Sequence, residues 1–186
     1  VSGDGFVKDE GATYNVTGSQ TVVGGEEHNN TFTYTLKANT KAGNYNVTTA
    51  NGTLKVTSKG LDGKGMEVGA LGPVKYNGEP QQQKPVVKDG NTVLKEGTDY
   101  TLSYSADTTN AGTVTVTVTG NGNYSGSKEV KYQITKRDVT LTSASAEKVY
   151  DGEPLTKHEV TVSGDGFVKD EGATYNVTGS QTVVGG

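Results

Sequence analysis

Residues Val1 to Gly25 read VSGDGFVKDEGATYNVTGSQTVVGG, and residues Val162 to Gly186 read the same, letter for letter. The offset is 162 − 1 = 161 residues. Self-identity at a fixed period constrains a chain more than composition does, because it fixes the unit from which the fold is built. The 186 residues hold one full period and a 25-residue overlap. Identity this complete points to recent duplication, or to a repeat kept uniform by recombination. The next period is expected to continue as Glu26 onward does.

The period contains two related units. Tyr150-Asp151-Gly152-Glu153-Pro154 matches Tyr76-Asn77-Gly78-Glu79-Pro80, and Ala42-Gly43 before Tyr45 and Val47 resembles Ala111-Gly112 before Val114 and Val116. Half of 161 is about 80 residues, the length of a small domain. The chain therefore reads as two diverged modules, A and B. Residues 60–136 are a complete module B. Residues 1–59 are the C-terminal part of a module A that lacks its first strand, and residues 137–186 are the N-terminal part of the next module A. The linkers, Thr57-Ser-Lys-Gly60 and Thr135-Lys-Arg137, are minimal.

Alternation of period two runs through the chain. Thr113-Val-Thr-Val-Thr-Val-Thr119 sends three valines to one face and its threonines to the other. Phe32, Tyr34 and Leu36 alternate with threonines. Tyr100, Leu102 and Tyr104, then Val130, Tyr132 and Ile134, then Val139 and Leu141 repeat the pattern. This is the mark of antiparallel sheets with one face packed and one wet. Turn residues punctuate the runs at Asp89-Gly90-Asn91, at Gly120-Asn-Gly122, and at Asn51-Gly52, which reads as a hairpin between Val47 and Leu54. No stretch of period 3.6 is long enough for a helix. The expected fold is all-β: tandem Ig-like β-sandwich modules set end to end as a rod. A β-grasp-like module is the alternative if a short helix lies between Gly65 and Gly72.

Composition narrows the function classes. A net charge of −4 leaves no electrostatic footprint for nucleic acid and no basic stripe for an anionic membrane. No apolar run spans a bilayer, so no membrane insertion is expected in this fragment, and any export signal or anchor is expected outside it. There is no cysteine, which removes disulfides and thiolate metal sites. No Ser/His/Asp arrangement and no phosphate loop is legible, so no catalytic residue, cofactor or enzyme activity is assigned. Asp4, Asp62, Asp89, Asp151 and Asp165 each stand alone beside glycines rather than in a run of oxygen ligands, so no metal is assigned. His28 and His158 read as solvent-exposed.

Four features remain as candidate sites. The motif Tyr76, Asn77, Gly78, Pro80 and its counterpart Tyr150, Asp151, Gly152, Pro154 is either a binding loop or a structural turn. The turn reading is favoured, with the tyrosine as core anchor and the glycine at positive φ. Tyr124, in a small-residue loop, either stacks on a sugar or caps the core. Lys148 with Asn46 or Asn51 could form an isopeptide crosslink if a carboxylate activated the pair. The divided module A exposes strand edges, so its two parts either complement each other head-to-tail between chains or leave one part poorly ordered.

Lys148-Val-Tyr-Asp-Gly-Glu-Pro-Leu-Thr156, Gly164-Asp-Gly-Phe167 and Tyr175-Asn-Val-Thr-Gly-Ser-Gln181 resemble the YDG-type repeats of large bacterial cell-surface proteins. Tyr76-Asn-Gly-Glu-Pro80, Glu96-Gly-Thr-Asp-Tyr100 and Asn110-Ala-Gly-Thr113 resemble the MBG-type, Ig-like repeats of the same proteins. The resemblance implies an extracellular stalk of a cell-wall-anchored bacterial adhesin. The alternative it leaves open is a repeated adhesive module that binds host glycans, mucin or surface proteins by avidity.

Overall fold

The computed structural model describes residues 3–185. The protein is all-β: thirteen strands, one turn of 3-10 helix at Ala42–Asn44, and no α-helix among the described residues. Two compact units interleave along the chain. One comprises Val1–Met66, Leu94–Thr101 and Thr119–Ser127, and the other Glu67–Val93, Leu102–Val118 and Lys128–Gly186.

The largest sheet has four strands, in the order β5 (Val74–Lys75), β11 (Ser127–Thr135), β9 (Gly112–Gly120) and β8 (Tyr100–Tyr104). β5 runs parallel to the end of β11, with Ile134 opposite Val74 and Thr135 opposite Lys75. The alternating residues do what their period requires. Val114, Val116 and Val118 are buried, as are Tyr132 and Ile134, and Leu71, Val74, Tyr76, Leu102, Tyr104 and Val130 pack around the cluster of Val114, Val116, Tyr132 and Ile134. The two core tyrosines are amphipathic and use both ends. The Tyr132 hydroxyl bonds the carbonyl of Gln81, and that of Tyr104 bonds the carbonyl of Gln83 at 3.0 Å. The segment after Pro80 is thus tied to the core through its backbone.

A second sheet of the order β4 (Met66–Val68), β6 (Val87–Asp89) and β7 (Thr92–Val93) turns at Gly90 (φ 56°), where a side chain would be strained. Residues 65–72 hold strand β4 and no helix, so the condition attached to the β-grasp alternative is not met. In the first unit, β3 (Lys59–Gly60) pairs in parallel with β10 (Tyr124–Ser125).

Among the described residues, 3–59 and 137–185 form only two-stranded sheets. β1 (Ala12–Val16) pairs antiparallel with β2 (Phe32–Leu36), setting Tyr14 opposite Tyr34. β12 (Val139–Ser143) pairs antiparallel with β13 (Val160–Gly164). The alternation is present but the apolar face is not covered: Tyr14, Val16, Tyr34, Leu141 and Val162 are exposed.

The expected hairpin at Asn51-Gly52 does not form. Gly52 pairs instead with Asn30, and Val56 with Gly24. The reason lies in side chains that compete with the ladder. Asn29 gives its amide to the Leu54 carbonyl at 3.0 Å and accepts the Leu54 N–H at 2.6 Å, acting as a strand partner. Upstream, Ala42–Asn44 takes a 3-10 turn, which removes the residues that would have led a strand into Val47.

The duplicated 25 residues form an internal control. Glu10 N–H bonds Val7 O at 3.1 Å, and Glu171 N–H bonds Val168 O at 3.1 Å. Asp9 and Asp170 have φ of 68° and 65°, and Gly5 and Gly166 of 71° and 69°. Gln20 reaches Val22 O, and Gln181 reaches Val183 O. Yet Ala12-Thr-Tyr-Asn-Val16 is strand β1, while the identical Ala173-Thr-Tyr-Asn-Val177 forms no strand. Propensity is the same in both, so the difference belongs to the partner that the first copy finds in β2.

Core and hairpin should therefore respond differently to truncation. Ile134, 2 % exposed, should lose about 2–5 kcal/mol of unfolding free energy as Ile134→Ala. Leu141, 46 % exposed, should stay within about 0.5 kcal/mol as Leu141→Ala. Urea denaturation compares them, and equal losses would show that β12 is packed after all.

Candidate functional site at the Arg137 clasp

All the residues of this site lie in the second unit. The chain leaves β11 at Thr135, passes Lys136, Arg137 and Asp138, and enters β12 at Val139. Arg137 spends its planar fork on backbone carbonyls. Its Nε donates to Gly166 O at 2.7 Å, its Nη1 to Tyr76 O at 3.3 Å, and its Nη2 to Asp165 O. One guanidinium thus bonds the end of β5 and the loop after β13 together. Lysine, a point charge on a flexible stem, has no equivalent fixed geometry.

Around it the contacts are charge-assisted. Lys75 Nζ lies 2.6 Å from Asp165 Oδ1. Asp165 Oδ2 accepts the N–H of Asp138 at 2.9 Å, and the Asp165 N–H returns to Asp138 O at 2.6 Å. The Lys75 ammonium, then the Asp138 N–H, hold the Asp165 carboxyl below the usual carboxylate range. The Tyr76 N–H bonds Thr135 O at 2.9 Å, and its hydroxyl bonds the Glu171 carboxylate. That bond pushes the Tyr76 hydroxyl above the ordinary tyrosine range. Gly78 (φ 84°) adopts a conformation that strains a side chain, and a Cβ there would sit 3.3 Å from Val168 Cγ2, which would have to give by a few tenths of an ångström.

An open cleft of about 330 Å³ lies beside the clasp, lined by Tyr76, Asn110, Lys136, Phe167 and Glu171 among others. Asn110 is held by Asp107, which accepts its N–H at 3.0 Å, its side-chain amide at 2.8 Å and the N–H of Thr109 at 2.9 Å. The Asn110 N–H, then the Asn110 side chain, then the Thr109 N–H hold the Asp107 carboxyl below its usual range. What the arrangement does chemically is hold: Arg137, Lys75 and Tyr76 each donate to a fixed acceptor.

The sequence candidates fall in different places. In Tyr76-Asn77-Gly78-Glu79-Pro80, Asn77 Oδ1 accepts the Glu79 N–H at 2.9 Å, and in Tyr150-Asp151-Gly152-Glu153-Pro154, Asp151 Oδ1 accepts the Glu153 N–H at 3.0 Å. Gly78 and Gly152 share φ near 85°. The two motifs are one Asx turn, but Tyr76 enters the cleft while Tyr150 is 64 % exposed. Lys148 Nζ lies 2.6 Å from Asp151 Oδ1. Lys148 belongs to the second unit, Asn46 and Asn51 to the first. Tyr124 is half-buried in β10. His28 Nδ1 lies 3.0 Å from Asn51 O, and His158 Nδ1 2.8 Å from Val177 O. No group of three or more potential metal ligands occurs among the described residues. Arg137, Asp165 and Glu171 were not legible as a site; the only hint was that Arg137 is the single arginine in the chain and falls in a linker.

No protein-family model matches the chain, nor does any curated protein or solved structure.

The clasp carries two tests. Arg137→Ala should cost about 1–2 kcal/mol and speed amide exchange at Asp138 and Asp165, with Arg137→Lys recovering little of either. Acid should act on the same contacts. A carboxyl with a lowered folded pKa contributes stability that is complete above the ordinary aspartate range and is lost as pH falls through the lowered value. Amide exchange at Asp138 should therefore stay slow through the ordinary range and accelerate only below it; acceleration within the ordinary range would mean that Lys75 and Asp165 are not coupled.

Proposed function

We propose that this chain is the repeated stalk of a bacterial cell-surface adhesin, an extracellular spacer that carries a distal binding domain away from the cell wall. The observation that carries the reading is the Arg137 clasp. A three-residue passage between strands is bonded on both sides, so a repeat built on it gains stiffness where a linker would otherwise bend. The perfect 161-residue period supports the same reading, since added periods lengthen a stalk without changing its chemistry. The YDG-like and MBG-like motifs agree with it. Under this reading the modules are Ig-like sandwiches stacked end to end, and no residue acts catalytically.

The test is length against repeat number. Arrays of two, four and eight periods should grow linearly by electron microscopy, by roughly 35 Å per module for strands of about ten residues. Growth as the square root of repeat number, the behaviour of a flexible chain, would sink the stalk. Saturable binding of mucin or a glycan panel by one period, amplified in the array, would replace it with the adhesive module.

One observation favours a second property, head-to-tail self-association. β2 accepts Ala12–Val16, and Ala173–Val177, identical in sequence, forms no strand and exposes Tyr175. A second copy can therefore offer β2 the same strand in the same register, placing Thr174 opposite Thr35 as Thr13 is now. The absence of cysteine makes this measurable. Mixed Thr174→Cys and Thr35→Cys chains should form a disulfide dimer, since directly opposed strand residues are about 5.5 Å apart. Thr174→Cys with Thr33→Cys, two residues out of register, should not. Equal crosslinking of both pairs, or of neither, would rule the exchange out.

A further inference from the structure

The loop that receives Tyr76 occurs twice, and its other copy holds a different tyrosine. In the second unit, Tyr76 reaches Glu171 beside Phe167. In the first unit, the identical Gly5-Phe-Val-Lys-Asp-Glu10 receives Tyr45. The Val7 N–H donates to the Tyr45 hydroxyl at 3.1 Å, the Phe6 and Tyr45 rings pack tilted with centroids 5.0 Å apart, and the Glu10 carboxylate beside the hydroxyl pushes it above the ordinary tyrosine range. Each copy of one sequence thus holds a tyrosine hydroxyl, the first on the Val7 N–H beside Glu10 and the second on the Glu171 carboxylate.

The tyrosines come from unlike settings. Tyr45 follows the 3-10 turn Ala42–Asn44, and Tyr76 follows strand β5. Their neighbours, Gly43-Asn-Tyr-Asn-Val47 and Val74-Lys-Tyr-Asn-Gly78, share only the asparagine after the tyrosine. The loop, by contrast, is the same in both places. Its Val-to-Glu turn, the left-handed aspartate and the left-handed glycine agree within a few degrees. A loop shaped by its occupant would differ between occupants.

We propose that Gly-Phe-Val-Lys-Asp-Glu is a preformed receptor for a tyrosine side chain, and that Tyr45 and Tyr76 are alternative occupants of it. The occupant decides what the loop is fastened to. With Tyr76 in place, the loop is bonded to the end of β5 and reinforces the Arg137 clasp. With a tyrosine of the Tyr45 kind, it is closed by a segment that follows it by 45 − 10 = 35 residues. A repeat that supplies both tyrosines to one loop holds a latch that exchanges while Arg137 keeps its carbonyls. The receptor rests on these contacts and not on the stalk reading, which the array lengths test separately.

The experiment gives one loop both tyrosines. Residues 26–59 are appended after Gly186, which sets a second Tyr45 at its natural distance from Glu171 and at high effective concentration. Ionisation of each hydroxyl is followed by NMR of tyrosines labelled at Cζ. In the 186-residue chain Tyr76 should titrate above the ordinary range, and Glu171→Gln should bring it down without moving Tyr45. In the extended chain Tyr76 should move toward the Glu171→Gln value, and Tyr45→Phe in the appended copy should restore it. Tyr76 unmoved by the extension overturns the exchange. Tyr76 unmoved by Glu171→Gln overturns the receptor. A second measurement does not depend on how the added segment folds. A free peptide of residues 41–47 should shift the Phe167 and Glu171 amides of the Tyr76→Phe chain saturably, and those of the Tyr76→Phe, Glu171→Gln chain at least tenfold less; equal shifts in both count against the receptor.

Discussion

A strand must have a partner for its backbone groups, and nearly everything in this protein follows from which segments find one. β9 and β11 are long because each has a neighbour on both sides in the four-stranded sheet. That sheet buries Val114, Val116, Tyr132 and Ile134 from one face of its alternating sequence. Where a segment meets only one partner, as β1 with β2 or β12 with β13, the pairing holds but the apolar face stays open. Where it meets none, as at Ala173–Val177, the same residues are not a strand at all.

The core is small for a chain of this length, and the remaining rigidity is polar and short-range. Asx turns at Asn77, Asp107 and Asp151 fix three loops through side-chain oxygens and backbone N–H groups two or three residues ahead. Asn29 serves as a surrogate strand partner for Leu54. Tyr132 and Tyr104 reach from the core to the Gln81–Gln83 backbone. Arg137 belongs to this set: it is another side chain satisfying carbonyls that no ladder reaches. In a chain without cysteine these devices supply local order that disulfides provide elsewhere.

What could be read in advance divides along the same line. The strands with clean alternation, Thr113 to Thr119 and Val130 to Ile134 above all, were legible because the period of two is written residue by residue. Turns at Gly90 and Gly122 were legible because positive φ selects glycine. The hairpin at Asn51-Gly52 was read wrongly, because a strong turn dipeptide does not announce that Asn29, some twenty residues earlier, will take the backbone groups of Leu54. The clasp was illegible for a similar reason. Tyr76, Arg137 and Asp165 are separated by 61 and 28 residues, and neither their type nor their spacing implies a meeting.

The duplicated segment shows why a repeat of this kind is versatile. Its turn from Val to Glu is set by contacts within four residues, so it folds alike wherever it is placed. Its strand, Ala-Thr-Tyr-Asn-Val, is set by contacts about twenty residues away, so it folds only where β2 is within reach. One identical sequence therefore contains a part that is constant and a part that responds to its surroundings. The constant part carries a carboxylate, and in two settings a tyrosine hydroxyl lies beside it. Inserting or deleting a whole period would leave such a loop, and the tyrosines before and after it, at the same spacing. A joint whose receptor is local and whose ligand is interchangeable therefore tolerates changes in repeat number that a joint built on unique long-range packing does not.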